Sequence, residues 1–258
     1  MGDDGLGTGM APVVGIHALA PNAASIELHD VSFGWKATPA VRHVSGCFAS
    51  GSMTAIVGPN GAGKSTLIKG IMGVLRPSHG HVHIAGGHED ELAWLPQAGE
   101  LDRGFPITVL EMVAMGAWRR SGPWRRVSDA ELDRAYATLC LVGLRGSERR
   151  IVGTLSGGQM QRVLFARLLM QDARVLVLDE PFSAVDSHTT DDLMRLLCDL
   201  HSQGRSVIAV LHDMELVRDH FPQTLLLSGE VVAWGKTVDV LTPAHLKQAR
   251  HMREAHFA

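Results

Sequence analysis

Two glycine-rich stretches of this chain have the residue types and spacing to hold a phosphate group. The first is GPNGAGKST, residues 58–66, and the second is LSGGQ, residues 155–159. The first matches a phosphate-binding loop pattern, because an apolar strand-like run precedes it and a helix-like run follows it. Its glycines let backbone N–H groups turn toward phosphate oxygens, and the helix N-terminus adds a partial positive charge. This stretch therefore predicts a nucleoside triphosphate site.

The residues predicted to bind the nucleotide are consecutive along this first loop. They are Gly58, Pro59, Asn60, Gly61, Ala62, Gly63, Lys64, Ser65 and Thr66. We expect the Lys64 ammonium to reach the β- and γ-phosphates and the Ser65 hydroxyl to bind Mg²⁺. ATP and Mg²⁺ are therefore the expected ligands.

Polar residues at the ends of further strand-like runs predict the groups that carry out hydrolysis. Asp179 and Glu180 end the buried-strand pattern VLVLDE, and His212 ends the next one, VIAVLH. The carboxyl ends of parallel strands are where ligands bind in such sheets. Asp179 suits the Mg²⁺ site, Glu180 suits a general base acting on water, and His212 suits the γ-phosphate or the water. Gln97, in AWLPQ, can bind Mg²⁺ and hold water.

LSGGQ predicts a second anion site, because it opens the helix-like run GQMQRVLFARLLMQ. Its members are Leu155, Ser156, Gly157, Gly158 and Gln159. One nucleotide needs only one phosphate cradle. Two cradles are explained if two copies of the chain meet head to tail, so that each ATP lies between the first loop of one copy and LSGGQ of the other. The sequence thus predicts a homodimer.

The elements around these motifs alternate between strand and helix, which predicts an α/β fold with a parallel core. Residues from about 107 to 171 are mostly helical in pattern and predict an inserted helical subdomain. Within it, SDAE (128–131) is a capping box, and Leu132, Ala135, Tyr136 and Leu139 are expected on one apolar face. Residues 1–23, rich in Gly, Ala and Pro, predict a flexible tail.

Composition excludes several classes of protein. The formal net charge of −3 over 258 residues provides no basic field for nucleic acid. No apolar run approaches the ~20 residues that a membrane-spanning helix needs, so a membrane role requires a partner chain. Cys47, Cys140 and Cys198 are widely spaced in apolar surroundings and predict reduced core residues, not a disulfide or metal site.

Taken together, these motifs resemble those of the ATP-binding subunits of ABC transporters, over roughly residues 25–242. GPNGAGKST resembles Walker A, VLVLDE Walker B and LSGGQ the signature, and Gln97 and His212 are similar to the Q-loop and switch residues. The resemblance implies a D-loop role for Asp186 and adenine stacking by Trp35, for which a packed strand aromatic is the alternative. It also implies a P-loop NTPase fold with a RecA-like parallel sheet, an antiparallel β subdomain and the inserted helical subdomain. The ATPase domain would span 24–242, followed by a C-terminal helical tail at 243–258.

The segment after Gln97 suggests the kind of transporter. FPITV and EMVAMG, within residues 98–120, resemble importers of zinc, manganese and related divalent metals, although Gly104 stands where an acidic or polar residue is expected. The resemblance implies that this segment contacts a separate membrane permease, which holds the ATPase at the cytoplasmic face of the cell membrane and receives metal from an extracytoplasmic binding protein. Zinc is preferred over manganese, and a siderophore or haem importer is the nearest alternative.

Histidines offer a separate hypothesis. His79, His81 and His83 lie on one face of a predicted strand, where they could bind zinc, but a solvated polar face opposite Val82 and Ile84 is the favoured interpretation. His245, His251 and His256 lie near the C-terminus.

Two other functional classes share some of these motifs. ATPases of DNA repair and translation carry both glycine-rich loops, but usually with long insertions or two cassettes, so no nucleic-acid partner is expected here. A P-loop kinase or GTPase would leave LSGGQ and His212 without a role.

Overall fold

β-Strands form the centre of the fold. In the computed structural model, which describes residues 24–34, 39–86, 91–97, 99, 104–118, 122, 127–183 and 185–257, with side chains to residue 253, the strands have the following bounds. They are β1 (Ser25–Phe33), β2 (Val41–Phe48), β3 (Met53–Val57), β4 (His79–Ala85), β5 (Leu92–Leu95), β6 (Val175–Asp179), β7 (Ser206–Val210), β8 (Gln223–Leu227) and β9 (Val231–Lys236).

A six-stranded sheet, with order β5-β6-β7-β3-β8-β9 among the described residues, forms the core. Neighbouring strands from β5 to β8 in this order run parallel, and β9 pairs antiparallel with β8. β3, β6 and β7 are buried along their whole length, as expected of runs of Val, Ile and Leu covered on both faces. Because these strands are parallel, their carboxyl ends meet at one edge of the sheet.

Helices cover both faces of this sheet. The described α-helices are α1 (Lys64–Ile71), α2 (Val109–Ala114), α3 (Asp129–Leu141), α4 (Gly157–Met170), α5 (Ser187–Ser202), α6 (Met214–His220), α7 (Thr237–Val240) and α8 (Pro243–Phe257). Short 3-10 turns follow α2 at Met115–Ala117 and precede α4 at Val152–Thr154. Within this described part of the chain, no helix is long and apolar enough to cross a membrane.

Alternate residues of the central strands face two hydrophobic clusters. Leu176 and Leu178 of β6 contribute to the cluster that also contains α4 and α5. Val175 and Val177 face the opposite cluster, which contains α1 and the second sheet. Because successive side chains of a strand point to opposite faces, the central sheet packs against both hydrophobic clusters.

The second sheet is antiparallel, with order β2-β1-β4, and it covers α1. The ring of Phe33 in β1 packs so closely on Gly70 of α1 that any side chain at position 70 would collide with it. The predicted α/β fold with a parallel core and an antiparallel β subdomain is therefore confirmed.

α2, α3 and α4 pack on one another in the region predicted to be helical. Each begins with a capping box, at Thr108, Ser128 and Ser156, in which the side chain accepts from the N–H three residues on. The helical C-terminal segment is α8, whereas the tail predicted for residues 1–23 lies outside the described residues.

Two predictions about burial were wrong. Tyr136 is 43% exposed, and Thr138 is buried on the inner face of α3 instead. Burial of Thr138 is possible because its hydroxyl donates to the Arg134 carbonyl and needs no hydrogen bond from water. Cys47 and Cys140 are exposed, and Cys198 is half-buried. Cys47 lies on the polar face of β2, and Cys140 lies on the outer face of α3. Apolar neighbours in the sequence do not show which face of a strand or helix a cysteine occupies.

The histidine face of β4 is solvated, as the favoured interpretation predicted. His79, His81 and His83 are exposed, and the His81 ring stacks on His29 at 4.6 Å between centroids. No group of three or more potential ligands that could hold a metal ion occurs among the residues described. The Nδ1 atom of His245 donates to the Val240 carbonyl (3.0 Å), His251 is exposed, and the His256 side chain is not among those described.

Candidate functional site

The first glycine-rich loop, residues 58–66, connects β3 to α1 at the carboxyl edge of the central sheet. Gly63 caps α1 with φ of 91°, and a side chain there would collide with Val41 and the Ala40 carbonyl. Gly58 has φ of 152°, and a side chain would collide with the Leu227 carbonyl. Only glycine fits both positions, so the backbone N–H groups of this turn can surround an anion.

Lys64 lies inside this loop, with 5% of its surface exposed. Its ammonium donates to the carbonyls of Gly58 (2.9 Å) and Pro59 (3.1 Å). Burial lowers the pKa of Lys64, and nearby Arg253 lowers it further, whereas Glu180 and Asp179 oppose that change. A phosphate in the loop would compensate for the cost of this buried charge.

Ser65 and Asp179 meet beneath the loop. The Ser65 hydroxyl donates to Oδ1 of Asp179 at 3.0 Å, and Asp179 is fully buried at the end of β6. Hydroxyl and carboxylate oxygens are the donors that Mg²⁺ prefers, and an ion at this place would also reach a bound phosphate. The residues present therefore fit Mg²⁺.

Glu180, the residue after β6, is held between two other side chains. Nε2 of Gln97 donates to its Oε2 at 2.7 Å, and Nε2 of His212 lies 2.7 Å from its Oε1. Gln97 follows β5 and His212 follows β7, so the neighbouring parallel strands bring the three groups together. The structure thus places side by side three residues that lie up to 115 positions apart in the sequence (212 − 97).

These groups line one open cavity of about 810 Å³, formed by the phosphate loop together with Gln97, Glu180 and His212. Its volume falls in the range of sites that hold small ligands. Ala40, which sequence reasoning missed, also lines the cavity, because β2 begins beside Gly63. Trp35, the residue expected to stack on adenine, lies outside the described residues.

LSGGQ lies at the start of α4 and does not line this cavity. Ser156 and Gly157 are exposed, and Leu155 is buried beneath them. The Ser156 hydroxyl accepts from the Gln159 N–H at 3.3 Å, and the Gln159 side chain is also contacted by Arg150. The loop is therefore open to solvent at Ser156 and Gly157 and is not part of the phosphate cavity of its own chain.

Asp186 lies beside LSGGQ in the same chain. Its Oδ2 would be 3.4 Å from a Cβ atom on Gly158, and its carboxylate caps α5 by accepting from the N–H (2.9 Å) and hydroxyl (3.0 Å) of Thr189. These bonds hold the pKa of Asp186 below its usual value. Asp186 is thus not brought to the cavity that contains Glu180.

Comparison with known proteins agrees with this arrangement. A sequence model of the ABC transporter family matches residues 41–183. The manganese transport system ATP-binding protein MntB of Bacillus subtilis is 37% identical over 227 residues, 86% of this chain and 91% of the relative. The zinc transport system ATP-binding protein TroB of Treponema pallidum is 35% identical over 235 residues, 90% of this chain and 88% of the relative.

Solved structures give the same result for the fold. A metal-chelate type ABC transporter in an inward-facing conformation is 28% identical, with a TM-score of 0.79 over 88% of this chain and 89% of the other. A dimeric ATP-binding cassette bound to ADP and phosphate is 27% identical, with a TM-score of 0.73 over 82% of this chain and 98% of the other. Because the family model covers more than half of the chain, and relatives align with most of it, this chain belongs to the ABC transporter family as an ATP-binding subunit that hydrolyses ATP.

Proposed function

We propose that this chain is the ATP-hydrolysing subunit of an importer for a divalent metal ion, and that it works as a head-to-tail homodimer on a separate membrane permease. The observation that carries the enzymatic part is the Glu180 carboxylate, held by Gln97 and His212 at the edge of the phosphate-loop cavity. The relatives named for manganese and zinc transport support the metal-import part.

The phosphate loop binds ATP in this proposal. Its backbone N–H groups surround the β- and γ-phosphates, and Lys64 turns from the carbonyls of Gly58 and Pro59 toward the phosphate oxygens. Ser65, Asp179 and Gln97 would hold Mg²⁺, which when bound offsets the negative charge on the phosphates. Trp35 is expected to stack on the adenine ring.

Glu180 then acts on the attacking water. Its carboxylate accepts a hydrogen bond from the water, so that the water oxygen can attack the γ-phosphorus while the bond to the ADP oxygen breaks. The proton moves to Glu180 and then to the released phosphate. His212 and Gln97 orient Glu180 and the water, because each of them contacts one of the two carboxylate oxygens.

A second copy completes each site. Ser156 and Gly157 are exposed and do not line the cavity of their own chain, so the Ser156 hydroxyl and the N–H groups of Gly157 and Gly158 are available to the γ-phosphate on the partner. Asp186, beside Gly158, would lie at the same interface. A related cassette that is dimeric with ADP and phosphate supports this arrangement.

The permease would dock near the start of the helical region. Phe105 is 64% exposed and Trp118 is 40% exposed, on either side of α2. Large apolar side chains exposed to solvent are candidates for a protein interface. Docking here would place the chain at the cytoplasmic face of the membrane and couple Gln97, a few residues upstream, to the permease.

Zinc is the ion we expect first, delivered to the permease by an extracytoplasmic binding protein. Manganese and iron chelates are the alternatives, and the relatives named for manganese transport make manganese the nearer one.

Elemental analysis of whole cells tests the proposal. A strain lacking this chain is grown in metal-depleted medium and compared with its parent, with the same strain carrying wild-type chain, and with one carrying Glu180→Gln. A selective fall in zinc that the wild type restores and Glu180→Gln does not would support zinc import. A selective fall in manganese would replace zinc by manganese, and no change in any metal would contradict metal import.

A further inference from the structure

The C-terminal helix α8 is fixed beside the phosphate loop by one short turn. Ser228 and Gly229 are adjacent residues between β8 and β9. The Ser228 hydroxyl donates to the Ala249 carbonyl of α8 at 2.7 Å, and the Gly229 N–H donates to the Ala62 carbonyl of the phosphate loop at 3.0 Å. Ala249 itself is 2% exposed. Neighbouring residues of a single turn therefore hold both α8 and the loop.

Arg253 lies one helical turn after Ala249 and so projects from the same side of α8. Nη2 of Arg253 is 3.3 Å, and Cζ 3.6 Å, from the position that a Cβ atom on Gly61 would occupy. Since Gly61 has no side chain, the guanidinium can lie directly against the backbone of the loop. Arg253 is half-buried there.

Arg253 brings a second positive charge to this site. Its charge acts on Lys64, whose pKa it lowers, although burial of Lys64 and the opposing charges of Glu180 and Asp179 have larger effects. Two cations beside one loop repel each other when the loop is empty. A polyphosphate between or beside them removes that repulsion, and more negative charge on the ligand gives a greater gain.

We propose that Arg253, held by α8 against Gly61, belongs to the phosphate site and favours the binding of ATP over that of ADP through its positive charge. This inference rests on the proposed ATP site and adds to it a residue from the C-terminal helix. It also gives α8 a role in nucleotide binding in addition to its packing.

The test compares ATP and ADP binding by calorimetry, with Mg²⁺, for the full chain and three variants. Arg253→Gln removes the charge, Arg253→Lys retains it, and Arg250→Gln is the matched control, since Arg250 is exposed on the same helix. We expect Arg253→Gln to weaken ATP binding by about two- to fivefold, the size of a partly exposed charge interaction, and ADP binding by less. Arg253→Lys should regain most of the ATP preference, and Arg250→Gln should match the wild type.

Salt separates charge from packing. The difference between the wild type and Arg253→Gln should shrink as ionic strength rises, because salt screens the interaction. If Arg253→Gln lowers the melting temperature, Arg253→Met, which keeps the aliphatic packing of the side chain, replaces it in the same comparison.

Three results would overturn the inference: Arg253→Gln behaving like Arg250→Gln, equal losses for ATP and ADP, or a loss that salt does not change. In each case wild-type ATP binding would remain and the proposed function would stand. A wild-type chain that binds no ATP would instead overturn the proposed function itself.

Discussion

Nε2 of His212 lies 2.7 Å from Oε1 of Glu180, while Nε2 of Gln97 lies 2.7 Å from the other oxygen of the same carboxylate. An ionised carboxylate only accepts hydrogen bonds, so the contact with His212 requires a proton on its Nε2 atom. Each oxygen of Glu180 thus has one fixed donor. This arrangement fixes the orientation of the carboxylate, which is what a general base needs.

Replacing Glu180 by Gln tests the role of this carboxylate. Turnover should fall by about 10²–10⁴-fold, because the amide cannot take up the proton of water. ATP affinity should stay near that of the wild type, since Glu180 does not hold the phosphates. Steady-state phosphate release and equilibrium ATP binding measure the two effects. Glu215→Gln, an exposed acid on α6, is the control, and an equal loss of turnover in it would contradict the assignment.

Lys64 should link ATP binding to protonation. Burial lowers the pKa of its ammonium in the empty loop, and phosphate oxygens beside it should raise that pKa. Protons should then be taken up between the two values, and ATP affinity should fall as the pH rises through that range. Calorimetry at a series of alkaline pH values, each in two buffers of different ionisation enthalpy, measures this uptake.

The matched variant for this measurement is Lys64→Met, which cannot titrate. It should show no proton uptake at this position. Its ATP binding should be weaker by roughly 1.5–3 kcal/mol for each charge-assisted hydrogen bond that the ammonium makes to a phosphate oxygen in the wild type. Unchanged ATP affinity in Lys64→Met would count against a phosphate-binding role.

Phe105 should matter for coupling and not for folding. It is 64% exposed, so Phe105→Ser should leave the ATPase activity of the isolated chain unchanged but reduce both its stimulation by the permease and metal uptake. Val238→Ser, at a position that is 80% exposed next to β9, is the control. Equal uptake by the two variants would place the permease contact elsewhere.

Asp172 should be a stabilising residue remote from the chemistry. It accepts from Arg205 (3.2 Å, 1% exposed) and from Arg134 (3.3 Å, 37% exposed), and so joins α3 to the start of β7. Asp172→Asn keeps a residue that tolerates its φ of 52° but leaves the buried guanidinium without a carboxylate. We expect a loss of roughly 2–3 kcal/mol in the free energy of unfolding by urea.

Arg134→Ala, which removes only the exposed partner of the same carboxylate, should cost less than about 1 kcal/mol. If Asp172→Asn and Arg134→Ala lower the free energy of unfolding equally, the burial of Arg205 does not explain the stabilising effect of its ion pair with Asp172.

The parts of the site that depend on local chain geometry could be predicted from the sequence. Gly58 and Gly63 fix the phosphate loop within a few residues, so their pattern alone indicates it. Glu180 and His212 could also be expected together, because both end buried runs of the kind found in parallel strands, whose carboxyl ends share one edge.

The rest depends on packing that the sequence pattern does not contain. Arg253 was missed because its contact with Gly61 depends on where α8 lies, which the turn at Ser228 and Gly229 decides. Tyr136 was placed wrongly because its spacing suits the apolar face of α3, although Thr138 can be buried once its hydroxyl bonds to the helix backbone.

The most direct test of the account is the effect of Ser156→Arg on ATP-dependent dimerisation. In the Glu180→Gln background, mass measurement with ATP should give a dimer with two bound ATP, because hydrolysis no longer separates the copies. Adding Ser156→Arg should keep the chain monomeric while each monomer binds ATP as before, since Ser156 serves the nucleotide of the partner. Ser128→Arg, which disrupts the same type of capping box on α3, should still dimerise. A Glu180→Gln/Ser156→Arg chain that dimerises fully, or a monomer that loses its ATP affinity, would contradict the head-to-tail site.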